Sequence, residues 1–187
     1  MNNDRLTLAS VLAFIHAVLS RFFVSFTAEI TQPAAGPFLI AALLAMVNLA
    51  LFVFIFTTLK RLLGERYHFQ EADSPIHTLI GFNILAVVII LLPVFGLGHT
   101  LFSLVSKGLA VAGGLAWIWL AVKLLKLPAG RIKLLKPYTW LVAAVGVCFA
   151  TIVLAPLGTL LNLAADILLG VIFIQETGRP EPGKMEA

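Results

Sequence analysis

Three ionisable side chains stand inside otherwise apolar stretches: Arg21, Lys107 and Asp166. A charge in hydrocarbon is expensive unless it is paired or neutralised, so each invites a role in solute transport, proton exchange or an ion pair that fixes helix register. The spans assigned below put all three roughly 10–15 Å beneath one surface at about 1.5 Å per helical residue. Two cations and one anion at one depth would satisfy one another. Asp166 is the sharpest of the three, because Arg21 and Lys107 have stems long enough to carry their charge to the headgroups. Polar and small residues extend the set at helical spacing. Ala9, Ala13, Ala17, Arg21, Ser25 and Glu29 recur four apart, as do Gly158, Asn162, Asp166 and Gly170, and the pair Ser103 and Lys107. Small residues let membrane helices approach and polar ones bond across the gap, so these faces are expected to point into a bundle. Asn48 and Asn83 read as interhelical hydrogen-bond formers. His16 reads as a buried neutral histidine paired with Ser20, ahead of a proton relay.

Other chemistry finds little support. His68, His77 and His99 are scattered over both sides of the expected membrane and make neither a metal set nor a haem pair. Cys148 stands alone in an apolar run, so no internal disulfide forms and a small buried side chain is expected. Walker, HExxH, GxSxG and paired-cysteine motifs are absent. Glu65, Glu71 and Asp73 share one polar stretch with Arg66 and His68, which reads as a solvated loop. No catalytic residue, metal or cofactor is expected.

The elements that position these residues follow from composition. Of 187 residues, 60% are hydrophobic and only 12% charged, and mean hydropathy is +1.04. A soluble domain has about 45–50% apolar and about 25% charged residues. Lipid must therefore surround most of the chain, and continuous apolar runs exclude the alternation of a membrane β-barrel. A helical span needs about 20 apolar residues. The runs predict spans over 6–28, 37–59, 76–95, 100–122, 138–155 and 157–174. The last two come from one long run, divided at Ala155-Pro156-Leu157-Gly158 because proline removes a donor and glycine permits a turn. The expected fold is all-α: a compact bundle of six transmembrane helices in three hairpins, with five spans as the alternative. Pro93 is expected to kink or end the third span, and Gly113-Gly114 to allow close packing or a kink in the fourth. Residues 175–187 read as a flexible tail.

Eleven of the thirteen Lys and Arg residues fall on the side that holds both termini, and the three opposite connections hold none. The positive-inside rule then puts both termini in the cytoplasm. Trp117, Trp119, Tyr138 and Trp140 flank the basic connection Lys123–Pro137, as headgroup-level aromatics do. That connection reads equally as a basic loop or a short interfacial helix. Asp4 offsets Arg5, and Phe26 occupies a position where cleavage wants a small residue, so the first run is expected to be retained. Small size and short connections point to a bacterial inner membrane. The net charge of +4 sits in connections between spans, which argues for anionic lipid headgroups as partners and against nucleic acid.

From Phe54 to Thr151 the layout resembles the Yip domain family of polytopic membrane proteins. A span ends in Lys60-Arg61-Leu62-Leu63-Gly64, a short polar loop follows, then a span containing Pro93. Later, Trp117 and Trp119 lead through the basic loop to the next helix. That family has five spans, one fewer than counted here, and brings no catalytic residues to carry over. The resemblance implies a membrane-organising or trafficking-type role. The expected function is accordingly non-enzymatic, with partners among the bilayer, other membrane proteins or further copies of the chain. A small-solute or ion transporter using Arg21, Lys107 and Asp166 is the alternative.

Overall fold

A computed structural model describes residues 3–29, 35–91, 99–128 and 132–179. Its elements are α1 (Asn3–Glu29), α2 (Ala35–Tyr67), α3 (Asp73–Leu91), α4 (His99–Leu125), α5 (Leu135–Ala150) and α6 (Ala155–Thr177). Pro33, Pro93, the Gly96–Gly98 turn, Arg131 and the chain beyond Arg179 lie outside the described residues. So do the side chains of Ser25, Glu29, His99 and Ser103.

Among the described residues, four helices are long and apolar enough to cross a membrane: α1 over Asn3–Phe22, α2 over Leu39–Tyr67, α4 over Leu104–Leu125 and α6 over Ala155–Thr177. α3 and α5 are apolar but shorter. The distribution of side chains is that of an integral membrane protein. Leu8, Val11, Leu39, Leu43, Leu104 and Leu115 are exposed, while His16, Thr58, Asp166 and Glu176 are buried. Water would reverse this arrangement; lipid permits it.

Each helix packs on its neighbours in sequence, and α6 closes on α1. The result is a ring whose centre is filled by side chains. Phe52 and Phe56 of α2 stack with ring centroids 4.3 Å apart, and Trp117 of α4 meets them edge-on at 6.1 and 5.4 Å. Trp117 is therefore a core residue, contrary to the headgroup position expected for it. Two residues along a helix are about 200° apart, so Trp117 and Trp119 cannot share a face. Trp119 and Trp140 are exposed, and Tyr138 is buried.

Element ends depart from the expected boundaries for local reasons. α2 runs eight residues past Leu59, since nothing before Tyr67 forbids a helix. It stops where His68 takes φ 51° and Phe69 N–H donates to Leu63 O at 3.0 Å. His68 is thus a left-handed residue closing the helix end, with a backbone hydrogen bond reaching back six positions. The long apolar run does divide into α5 and α6, but at Thr151–Leu154, four residues before the expected break. Ile152 turns the chain with φ 58°, a conformation costly for a β-branched residue. Pro156 then lies in the first turn of α6, where its missing N–H costs nothing. The connection after α4 forms turns at its described ends, with no interfacial helix there.

Gly114 and Gly146 mark where α4 and α5 nearly touch. A Cβ at Gly114 would lie 2.5 Å from Ala150 N and 2.6 Å from Gly146 O, while one at Gly113 would meet nothing within 4 Å. Close packing, rather than a hinge, is thus the role of Gly114. Backbone atoms cannot step aside, so Gly114→Val is expected to cost about 1–3 kcal/mol or more. Gly113→Ala should be close to neutral. Thermal unfolding of the two variants checks this, and equal midpoints would contradict the geometry.

Candidate functional site

The polar centre of the bundle lies between α1 and α6. His16 Nδ1 lies 2.9 Å from Asp166 Oδ2, and Asn162 Nδ2 donates to the same oxygen at 3.2 Å. An ionised carboxylate only accepts, so the imidazole Nδ1 donates. The two side chains are 4% and 5% exposed, which is enough to remove them from solvent and lipid alike. His16 Nε2 is also buried and has no hydrogen-bond partner. Phe52 closes one side, its ring 6.0 Å from the imidazole.

Small residues make this approach possible. Ala9, Ala13 and Ala17 of α1 are buried, as are Ala165, Leu169 and Gly170 of α6. A Cβ on Gly170 would come within 3.1 Å of the Phe14 ring. The alanine stripe predicted from sequence therefore faces the bundle, but Arg21 does not continue it. Steps of four residues drift about 40° each, so Arg21 is about 120° around the helix from Ala9, while His16 is within about 20°. Arg21 and Lys107 are exposed, and the carboxylate expected to pair with them is held by His16 and Asn162. The expected charge layer is thus replaced by a His–Asp–Asn cluster. Ser20, expected on His16, donates instead to Ala17 O at 3.1 Å. Asn83, expected to bridge helices, donates to Leu79 O within α3 at 2.9 Å, and Asn48 Oδ1 is buried without a hydrogen-bond partner.

A second polar cluster ties the basic end of the ring together. Arg66, near the end of α2, donates through Nη2 to Asn3 Oδ1 at 2.9 Å and through Nη1 to the Glu176 carbonyl. The same Nη1 lies 3.8 Å from Glu176 Oε2. Tyr67 donates its hydroxyl to Glu176 Oε2 at 2.6 Å. Arg179 reaches Glu176 Oε1 at 3.0 Å and the Tyr67 oxygen at 2.8 Å. Glu176 is 1% exposed, so the segment from Gln175 to Arg179, expected to be mobile, is fixed in place. Sequence reasoning missed this residue although a signal was present. Asp166, Leu169, Phe173 and Glu176 fall at i, i+3, i+7 and i+10, the spacing of one buried face.

The carboxylates of the polar stretch serve neighbouring helix ends. Asp73 meets Lys60 at 3.1 Å, and Glu71 meets Lys126 at 2.8 Å and Lys123 at 3.1 Å. The hydrogen bond from Lys126, then that from Lys123, holds the Glu71 carboxyl below its ordinary value of 4.5. Its contribution to stability is present above pH 4.5 and is lost as pH falls through the depressed value. The pair is exposed and screened by salt, so that contribution is small. Cys148 is buried, with its Cβ 2.9 Å from where a Gly158 Cβ would stand.

No family model, curated protein or solved structure matches this chain. The chemistry must be read from the site itself. Among the described residues no three His, Cys, Asp or Glu side chains converge as metal ligands. The His16–Asp166 pair can join two helices or exchange a proton. The Arg66–Glu176 cluster can lock the ends of α2 and α6 to the start of α1.

Proposed function

We propose that this is a non-enzymatic membrane protein that organises or binds other membrane components, with all six helices crossing the bilayer and the basic end in the cytoplasm of a bacterial inner membrane. The observation that carries this reading is the filled ring. Phe52, Phe56 and Trp117 occupy its centre, Asp166 of α6 is engaged with His16 of α1, and Arg66 of α2 is engaged with Glu176 of α6. What remains for interaction is an apolar outer surface and a basic end. The resemblance of residues 54–151 to the Yip domain family implies the same kind of role.

One observation favours a second reading, proton-coupled transport: His16 Nε2 is buried beside Asp166 with no partner among the described residues. Proteoliposomes with a pH dye inside separate the two. Membrane organisation predicts proton and cation flux equal to that of protein-free vesicles, unchanged by Asp166→Asn. Flux above that background, abolished by Asp166→Asn while the protein remains folded, would replace this reading with the transporter. The positive counterpart is photo-crosslinking in native membranes from Leu85 and Leu104, both exposed. Discrete protein adducts are expected, and adducts of lipid size alone would count against partner binding.

A further inference from the structure

The lipid-facing side of α2 carries a groove of about 560 Å³ bounded by Met46, Ala50, Val53 and Phe54, with Ile84 of α3 and Arg5 of α1. Met46, Ala50, Val53 and Thr57 follow one another at helical spacing, so the groove tracks a single stripe of α2. From Met46 to Thr57 this stripe is roughly 16 Å long at about 1.5 Å per residue. That is close to the hydrocarbon depth of one leaflet, half of about 30 Å. The walls are apolar until the end near Thr57, where the character changes abruptly. Arg5 Nε donates to Thr58 Oγ1 at 3.4 Å, and the guanidinium lies over the Phe54 ring, 5.5 Å from its centroid. These two contacts pin a cation at the mouth of the groove. Arg61 is exposed one turn beyond Thr57, on the same stripe.

A groove that is apolar for the depth of one leaflet, with Arg5 at its mouth and Arg61 one turn further along α2, has the shape and charge of a particular ligand. We propose that it holds one anionic phospholipid, with an acyl chain laid along Met46, Ala50 and Val53 against Ile84, and the phosphate held between Arg5 and Arg61. A guanidinium donates two parallel hydrogen bonds to a phosphate, which an ammonium cannot do. Ala50 supplies the depth, since a larger side chain there would fill the groove. The site rests on the chain lying in a membrane, and it deepens the organising role by naming the component that is bound.

Native mass spectrometry of the full chain in detergent tests it, with phosphatidylglycerol and phosphatidylcholine of matched acyl chains as probes. One phosphatidylglycerol is expected to be retained about tenfold more tightly than phosphatidylcholine. Arg61→Gln, an exposed position, should remove most of that preference, weakening phosphatidylglycerol more than phosphatidylcholine, whose choline cation already offsets its phosphate. Arg5→Gln should do the same, and Ala50→Phe should weaken both lipids. Glycerol phosphate, which has no acyl chains, should not compete. Equal retention of the two lipids, a full preference surviving in Arg61→Gln, or competition by glycerol phosphate would overturn the proposal. The flux assay is independent of these outcomes, so a failure here leaves the organising and transport readings to be decided there.

Discussion

Replacing Asp166 with alanine is expected to destabilise the protein by about 2–5 kcal/mol, because a buried imidazole loses its acceptor and Asn162 loses its partner. The effect should be far from additive. His16→Leu combined with Asp166→Leu removes both halves of the pair and fills the space with hydrocarbon, which is often nearly neutral. Asp166→Asn preserves shape and one acceptor oxygen, so it should fall between. Unfolding followed by tryptophan fluorescence is a suitable readout, since Trp117 meets edge-on the Phe52 ring that lies beside His16. A double variant no more stable than Asp166→Ala would mean that His16 and Asp166 are not energetically coupled. The same series carries the functional question, because a structural pair tolerates the apolar double replacement and a proton site does not.

Glu176→Ala is expected to be comparably severe, about 3–5 kcal/mol, since it leaves the Arg66 guanidinium buried without its counter-charge. The Arg66 side chain is 5% exposed and its Nε already lacks a partner, so water offers little relief. The last turn of α6 should fray, and protease should then reach Thr177 and Arg179. Glu71→Ala is the matching control. It also removes a carboxylate from two basic partners, but one that stands 46% exposed, where solvent and salt screen the pair and little stability is at stake. Equal losses from the two substitutions would refute the distinction between a buried network and a surface one.

How far the sequence discloses this architecture depends on which period is read. Composition alone requires lipid-facing helices, and charge asymmetry places the start of α1 with the ends of α2 and α6, where Asn3, Arg66 and Glu176 do meet. The stripe of Ala9, Ala13 and Ala17 and the pair Asn162 and Asp166 were legible as inward faces. Partner choice was not, because steps of four residues drift around a helix while the buried face advances by alternating threes and fours. That drift takes Arg21 off the alanine face, while His16 stays on it. Glu176 was hidden by its neighbours. Gly178 and Pro180 suggest a loose tail, whereas Glu176 in the last turn of α6 is held by Arg66, Tyr67 and Arg179. The turn at Ile152 had no local signal at all, since neither glycine, proline nor asparagine occupies that position.

Closure of the ring through α6 and α1 sets the order in which the molecule can be assembled. α1, which carries the alanine seam and His16, leaves a ribosome well before its mate α6. Until Asp166 arrives, the early hairpins must wait in the bilayer with an unfilled flank, a long-range dependence that slows maturation and invites insertase or chaperone cover. Stop codons or lesions ahead of the α6 codons would therefore harm the whole particle, not that segment alone.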